Sequence, residues 1–237
     1  MLETVEGVIT RIVKYGETSL ILDLLCPDDG IRSYIVGGVR KKGKKDKSAL
    51  VRPVNLVKAE VYSKAGGKLS RVKEISYNYI YAEIPFDVSK STIALFLVEV
   101  CRKAVKASDD AKGVYNYIVK GLIHLDKLST GLVHFHITFL IGLAKHLGFE
   151  MQPRLSSDLL FFDLRIGSFV SARTDHRLVL DEDLSNHLHL YLSGEDQPNV
   201  DRAGRKKVIR SLVDYFSYHI EGFGELKSLD VLMSMYG

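Results

Sequence analysis

Arg40-Lys41-Lys42-Gly43-Lys44-Lys45-Asp46-Lys47 puts six cations into eight residues. Charges this dense repel one another and cannot be buried together, so the segment reads as an exposed, mobile loop. The chemistry it offers is phosphate neutralisation: each phosphate it meets releases counterions, and no base need be read. Arg11, Arg32 and Arg52 lie on either side of it in the chain. The candidate phosphate-binding set is therefore Arg11, Arg32, Arg40, Lys41, Lys42, Lys44, Lys45, Lys47 and Arg52. Gly37-Gly38, just before the run, permits a bend or a close backbone approach. A solvated loop with no specific role would have the same composition.

Aromatic rings would add base stacking to such a surface. Tyr15, Tyr34 and Tyr62 are the candidates, and each fits equally well as a half-buried strand residue. Other chemistries find less support. There is no Walker A loop, no G-x-G-x-x-G and no G-x-S-x-G. No pair of carboxylates stands out for acid–base work, so no catalytic residue is assigned and the chain reads as a non-enzyme. His134 and His136 fall two apart on an expected helix and point to different faces. His187 and His189 follow Asp181, Glu182 and Asp183 without a defined ligand geometry. Cys26 and Cys101 read as buried thiols and are too few for a four-cysteine zinc site. Neither a metal nor a cofactor is expected.

The charge is unevenly spread. Residues 1–80 carry 15 Lys and Arg against 9 Asp and Glu, whereas 81–237 carry 18 against 20. A positive first third suggests an acidic or nucleic-acid partner there. The start of the chain, Met1 to Glu6, is acidic and strand-like rather than basic and then apolar. With no apolar run long enough to span a membrane, the expectation is a cytoplasmic protein.

The elements that must position these residues follow from pattern. Val5, Gly7 and Ile9 alternate with polar Glu6 and Thr10. Residues 18–25 and 31–36 flank Pro27-Asp28-Asp29-Gly30 and predict a hairpin. Residues 53–62 and 69–79 resume the strand pattern around Ala65-Gly66-Gly67-Lys68. Five strands in 80 residues fit a partly open barrel of the OB type. A helical domain over 81–237 follows, which makes the chain α+β. Ser89 is the expected cap of a first helix, with Ile93, Phe96, Leu97, Val100, Cys101 and Ala104 on one face. Further helices are expected near 109–128, 131–147, 182–193, 202–220 and 226–234. Gly148 stops the third, and a short β excursion falls within 158–180. The apolar faces of 93–104 and 132–143 are most simply core. A groove between them would suit a partner peptide with apolar and acidic ends, flanked by Arg102, Lys103, Lys106 or Lys145.

These residues resemble the RecO family, bacterial recombination mediators. The resemblance rests on Tyr15-Gly16-Glu17-Thr18-Ser19-Leu20-Ile21-Leu22, Asp29-Gly30, Gly37-Gly38-Val39-Arg40-Lys41 and Pro53. It continues through Ile84-Pro85-Phe86-Asp87-Val88-Ser89-Lys90-Ser91, Phe139 to Phe149, and Glu225-Leu226-Lys227-Ser228. It implies an N-terminal OB-fold, a helical C-terminal domain, binding of single- and double-stranded DNA, and annealing of complementary strands. It also implies partnership with RecR and with the acidic C-terminal tail of single-stranded DNA-binding protein, in loading recombinase onto coated strands. The family location would be cytoplasmic and nucleoid-associated. One departure stands out. Many members carry a four-cysteine zinc motif after the Leu-Gly-Phe helix, whereas residues 151–180 here contain no cysteine. The zinc should be absent, with the strands around Leu159–Phe162 and Phe169-Val170 packing in its place. A protein-interaction scaffold and an RNA-binding OB protein remain the alternatives.

Overall fold

A computed structural model describes residues 1–39, 48–62, 69–105, 110–173, 176–195 and 197–236. Five strands, β1 (Leu2–Tyr15), β2 (Ser19–Cys26), β3 (Gly30–Val36), β4 (Leu56–Tyr62) and β5 (Ser70–Tyr79), close into a barrel of order β1-β2-β3-β5-β4. β1 makes closure possible. Its first half pairs antiparallel with β4 and its second half with β2, and the register shifts between Ile9 and Arg11. Such a bulge bends and twists a strand, which lets one strand serve two neighbours. β3 and β5 pair in parallel over Tyr34–Val36 and Ser70–Val72. Ile9, Leu22, Leu24, Val57, Ala59 and Val61 fill the interior, each at most 1% exposed. The barrel is thus closed where the pattern suggested a partly open one.

Among the described residues six helices follow: α1 (Val88–Ala104), α2 (Ala111–Lys127), α3 (Leu132–His146), α4 (Glu182–Leu192), α5 (Arg202–His219) and α6 (Lys227–Tyr236). Asp87, not Ser89, caps α1: its carboxylate accepts from the N–H groups of Ser89 and Lys90 at 2.7 and 3.0 Å. Both residue types cap well, and the carboxylate two positions upstream reaches both orphan donors. The expected face of α1 is wholly interior. Gly148 ends α3 with φ +87°. The β excursion is a two-stranded ribbon, β6 (Phe161–Asp163) against β7 (Ser168–Val170). Phe162 and Phe169 pack edge to face there, 5.0 Å apart. Asp163 also joins Val179 by a bridge and His176 Nε2 at 3.1 Å.

The barrel and the helices share a core. Val8, Leu25, Val54 and Leu56 of the barrel belong to the same buried cluster as Ile93, Phe96 and Leu97 of α1. The joining segment is tied down by Asp126, whose carboxylate accepts from the backbone N–H groups of Ala82, Glu83 and Ile84, each at 2.9 Å.

Candidate nucleic-acid interface

The barrel has two ends with different fates. At one end, the β2–β3 turn and the start of β4 lie against the helices: α2 packs on β2 and β3, and Lys112 Nζ comes within 3.9 Å of Asp28. At the other end lie the β1–β2 turn, the last residues of β3 and β4, and the first of β5. Register fixes this grouping. Tyr15 pairs with Ser19, Leu20 with Val36, Val36 with Val72, and Arg71 with Tyr62. A cleft of about 330 Å³ opens here, lined by Val36, Gly37, Tyr62, Arg71, Val72 and Lys73.

Gly37 and Gly38, which precede the cationic run in sequence, lie at this mouth. Gly37 lies so close under Arg71 that a Cβ on it would meet Nη2 at 3.2 Å, and Gly38 takes φ +72°, a left-handed bend that side chains disfavour. The dipeptide thus supplies both a close approach and a turn. Arg40, Lys41, Lys42, Lys44, Lys45 and Lys47 themselves lie outside the described residues.

The other three candidates separate. Arg52 is exposed on the segment that returns to β4. That return is stapled by Asn55, whose Nδ2 donates to the carbonyls of Ala49 and Leu50 at 2.9 and 2.8 Å. It docks on the bulge of β1 through Val54 N to Ile9 O (2.8 Å) and Ile9 N to Asn55 O (2.9 Å). Arg11 sits beside it, its guanidinium 3.9 Å from Asp23 and more than half exposed. Arg32 is at the helix-facing end, held by Asp29 at 2.6 Å. The structure therefore brings Arg11 and Arg52 to one side and places Arg32 apart.

Register sorts the tyrosines too. Tyr15 and Tyr62 are 51% and 49% exposed at the mouth. Tyr34 is 2% exposed inside the barrel and cannot offer a ring to a base. It packs near Cys26, whose thiol burial pushes up to about 11, leaving it protonated and unreactive at neutral pH. Arg71 and Lys73 were missing from the sequence-based set. Lys73 pairs with Glu60 at 2.9 Å, whereas Arg71 has no ion pair among the described residues. The parallel β3–β5 pairing and the register of β5 on β4 bring Arg71 to the mouth, and strand pattern alone does not carry that information.

Among the described residues, the expected face of α1 and Phe135, His136, Phe139, Leu140 and Leu143 of α3 are buried, while Leu132 is partly exposed. Lys145 pairs with Glu150 at 2.8 Å. Lys103 Nζ donates to the carbonyls of Phe223 and Glu225, each at 2.7 Å. Lys106 lies outside the described residues. His134 Nδ1 meets the Tyr191 hydroxyl at 2.8 Å. Burial, with the positive charge of Arg205 and His134, pushes His136 down to about 3, so it is neutral. Among the described residues, no three His, Cys, Asp or Glu side chains group as metal ligands, and no helix is long and apolar enough to cross a membrane.

Comparison with known proteins agrees with this architecture. Residues 1–80 match the family described as Recombination protein O N terminal, and residues 85–230 match Recombination protein O C terminal. The boundary falls where the barrel ends. Among similar proteins, the DNA repair protein RecO of Phocaeicola vulgatus is 26% identical over the whole of both chains. That of Flavobacterium psychrophilum is 28% identical over 98% of each, and that of Bacteroides fragilis 28% identical over the whole of both.

Proposed function

The chain belongs to the RecO family of DNA repair proteins, and from that premise we propose that it binds single- and double-stranded DNA through the barrel mouth, without reading sequence, and anneals complementary strands. The observation that carries the proposal is one of placement. Gly37 and Gly38, which with Val39 precede the six-cation run in sequence, lie at the end of the barrel that also presents Arg71, Tyr15 and Tyr62. Cations meet phosphates, and exposed rings stack on bases of any identity. Lowering the mutual repulsion of two strands lets complementary bases meet, so no covalent step, metal or nucleotide is required.

In the cell, the same chemistry would serve recombination. The protein would help load recombinase onto strands coated with single-stranded DNA-binding protein, alongside RecR and the coating protein's acidic C-terminal tail, at the nucleoid. Arg71 joins Arg40, Lys41, Lys42, Lys44, Lys45 and Lys47 as the mouth's DNA-binding set, and Arg11, Arg52 and Arg32 contribute from outside the mouth.

Titration of the full chain with fluorescent single strands across a salt series tests this reading. Affinity should be similar for unrelated sequences and fall linearly in log–log form with salt. The full chain is the right object, because the isolated barrel would expose Val8, Leu25 and Leu56. Absence of DNA binding would favour a scaffold, and preference for matched RNA in competition would favour an RNA-binding role.

A further inference from the structure

We infer that the groove between the barrel and the helical domain is a second phosphate-binding site, which holds one DNA strand while the barrel mouth holds its complement. The inference rests on the DNA-binding reading above and adds a surface outside the mouth. The groove has a volume of about 660 Å³ and runs between the bulge of β1 with Pro53 on one side and α1 with the start of α6 on the other.

Its charge is positive. Arg11, Arg102, Lys103 and Lys227 line it against two carboxylates, Glu99 and Glu225. Glu99 is committed to structure. It accepts from the backbone N–H groups of Lys227 and Ser228 at 3.1 and 2.9 Å and from the Ser228 hydroxyl at 2.5 Å, and so caps α6 from α1. Lys103 is anchored by two carbonyls, which leave its charge uncancelled. The side chains of Arg102 and Lys227 have no ion pair among the described residues. An anion entering the groove thus finds two cations at liberty and two held in place.

The rim is preformed. Val54 adopts φ +79°, a left-handed conformation that a β-branched residue avoids. It persists because Ile9 O accepts its N–H and the Tyr81 hydroxyl donates to its carbonyl at 3.1 Å. The strained residue fixes Arg52-Pro53 beside the groove.

The lining favours a DNA backbone over other anions that need more than charge. None of the lining residues is aromatic, and the apolar part is aliphatic, with Pro53 and Leu95. No described lining residue offers an aromatic ring to a base. A strand held in this way keeps its bases free, as pairing with a second strand demands.

The test compares the full-length wild type with the double variant Arg102→Gln/Lys227→Gln, after circular dichroism and thermal melting confirm equal folding. The first measurement is affinity for one labelled oligonucleotide, and the second is the rate of annealing to its complement. The inference predicts first-strand affinity within about twofold of wild type and annealing slowed about tenfold or more, each single-strand phosphate contact contributing a salt slope of about −0.7. Unchanged annealing would overturn it. So would a parallel loss of first-strand affinity, which would make groove and mouth one site. Binding of a short Asp-rich peptide to wild type but not to the variant, with annealing intact, would make the groove a peptide site and overturn it as well. Failure of wild type to bind DNA at all would instead strike the underlying reading, and the groove with it.

Discussion

Arg71 lies over Gly37 with its Nη2 so close that a Cβ on the glycine would come within 3.2 Å. This contact joins the start of β5 to the point where the chain leaves β3 for the cationic run. It places a cation with no ion pair among the described residues at the mouth of the barrel. Arg71→Ala should lower single-strand affinity about fivefold near 0.1 M salt and reduce the magnitude of the log–log salt slope by about 0.7. Stability should change by less than about 0.5 kcal/mol, since the side chain is exposed. Anisotropy titrations across a salt series, with a thermal melt alongside, check both.

Asp126 should be a pillar of the domain junction. It is 1% exposed and accepts from three backbone N–H groups. Removing it strands all three donors. Asp126→Ala should cost at least about 3 kcal/mol in urea unfolding of the full chain. Lys90 lies alongside, donating to the Asp126 carbonyl at 2.9 Å and to Glu83.

Stability should fall in acid in two steps. Burial holds His136 at about 3 in the folded chain, against an ordinary 6.5. The unfolded chain therefore takes up a proton that the folded one refuses, and stability is lost as pH falls from about 6.5 towards 3. Asp126 acts lower. Burial pushes its carboxyl up, but the three backbone hydrogen bonds and the charge of Lys90 outweigh that and leave it below its ordinary 3.8. Its contribution is present above that value and lost as pH falls through the folded one. His136→Gln should flatten the decline between pH 6.5 and 4, whatever it does to stability at neutrality. Urea midpoints measured across this range decide the matter.

α2 and α3 pack through reciprocal contacts. A Cβ on Gly121 would meet the Phe139 ring at 2.3 Å, and one on Gly142 would meet the Tyr117 hydroxyl at 2.2 Å. Each glycine is the seat of an aromatic from the other helix. Gly121→Ala should destabilise by about 1–2 kcal/mol, the overpacking outweighing the better helix propensity of alanine. In the background of Phe139→Leu the same change should cost less. A double-mutant cycle by chemical denaturation measures that coupling.

The barrel was legible because its strands alternate and its first hairpin turn, Pro27 to Gly30, carries its own chemistry. Strand ends were less so. β1 runs on to Tyr15 because a bulge at Thr10 and Arg11 breaks the alternation without ending the pairing. β4 begins at Leu56 rather than residue 53 because Pro53 has no N–H to donate and the left-handed turn at Val54 breaks the regular strand pairing. The site divided along similar lines. A run of six cations is visible in any linear reading. Tyr34 and Tyr62 look alike in sequence, and only register sends one inside and the other to the mouth. Arg71 and the groove cations Arg102 and Lys227 meet their neighbours across long chain separations, which composition and periodicity do not encode.

The central claim is that the connection after Gly38 supplies general phosphate affinity at the barrel mouth. The most direct measurement is the salt dependence of single-strand binding by wild type and by a variant with Arg40, Lys41, Lys42, Lys44, Lys45 and Lys47 all replaced by Gln. The account predicts that the variant binds every sequence more weakly, with a markedly shallower log–log salt slope; equal affinity and an equal slope would contradict it.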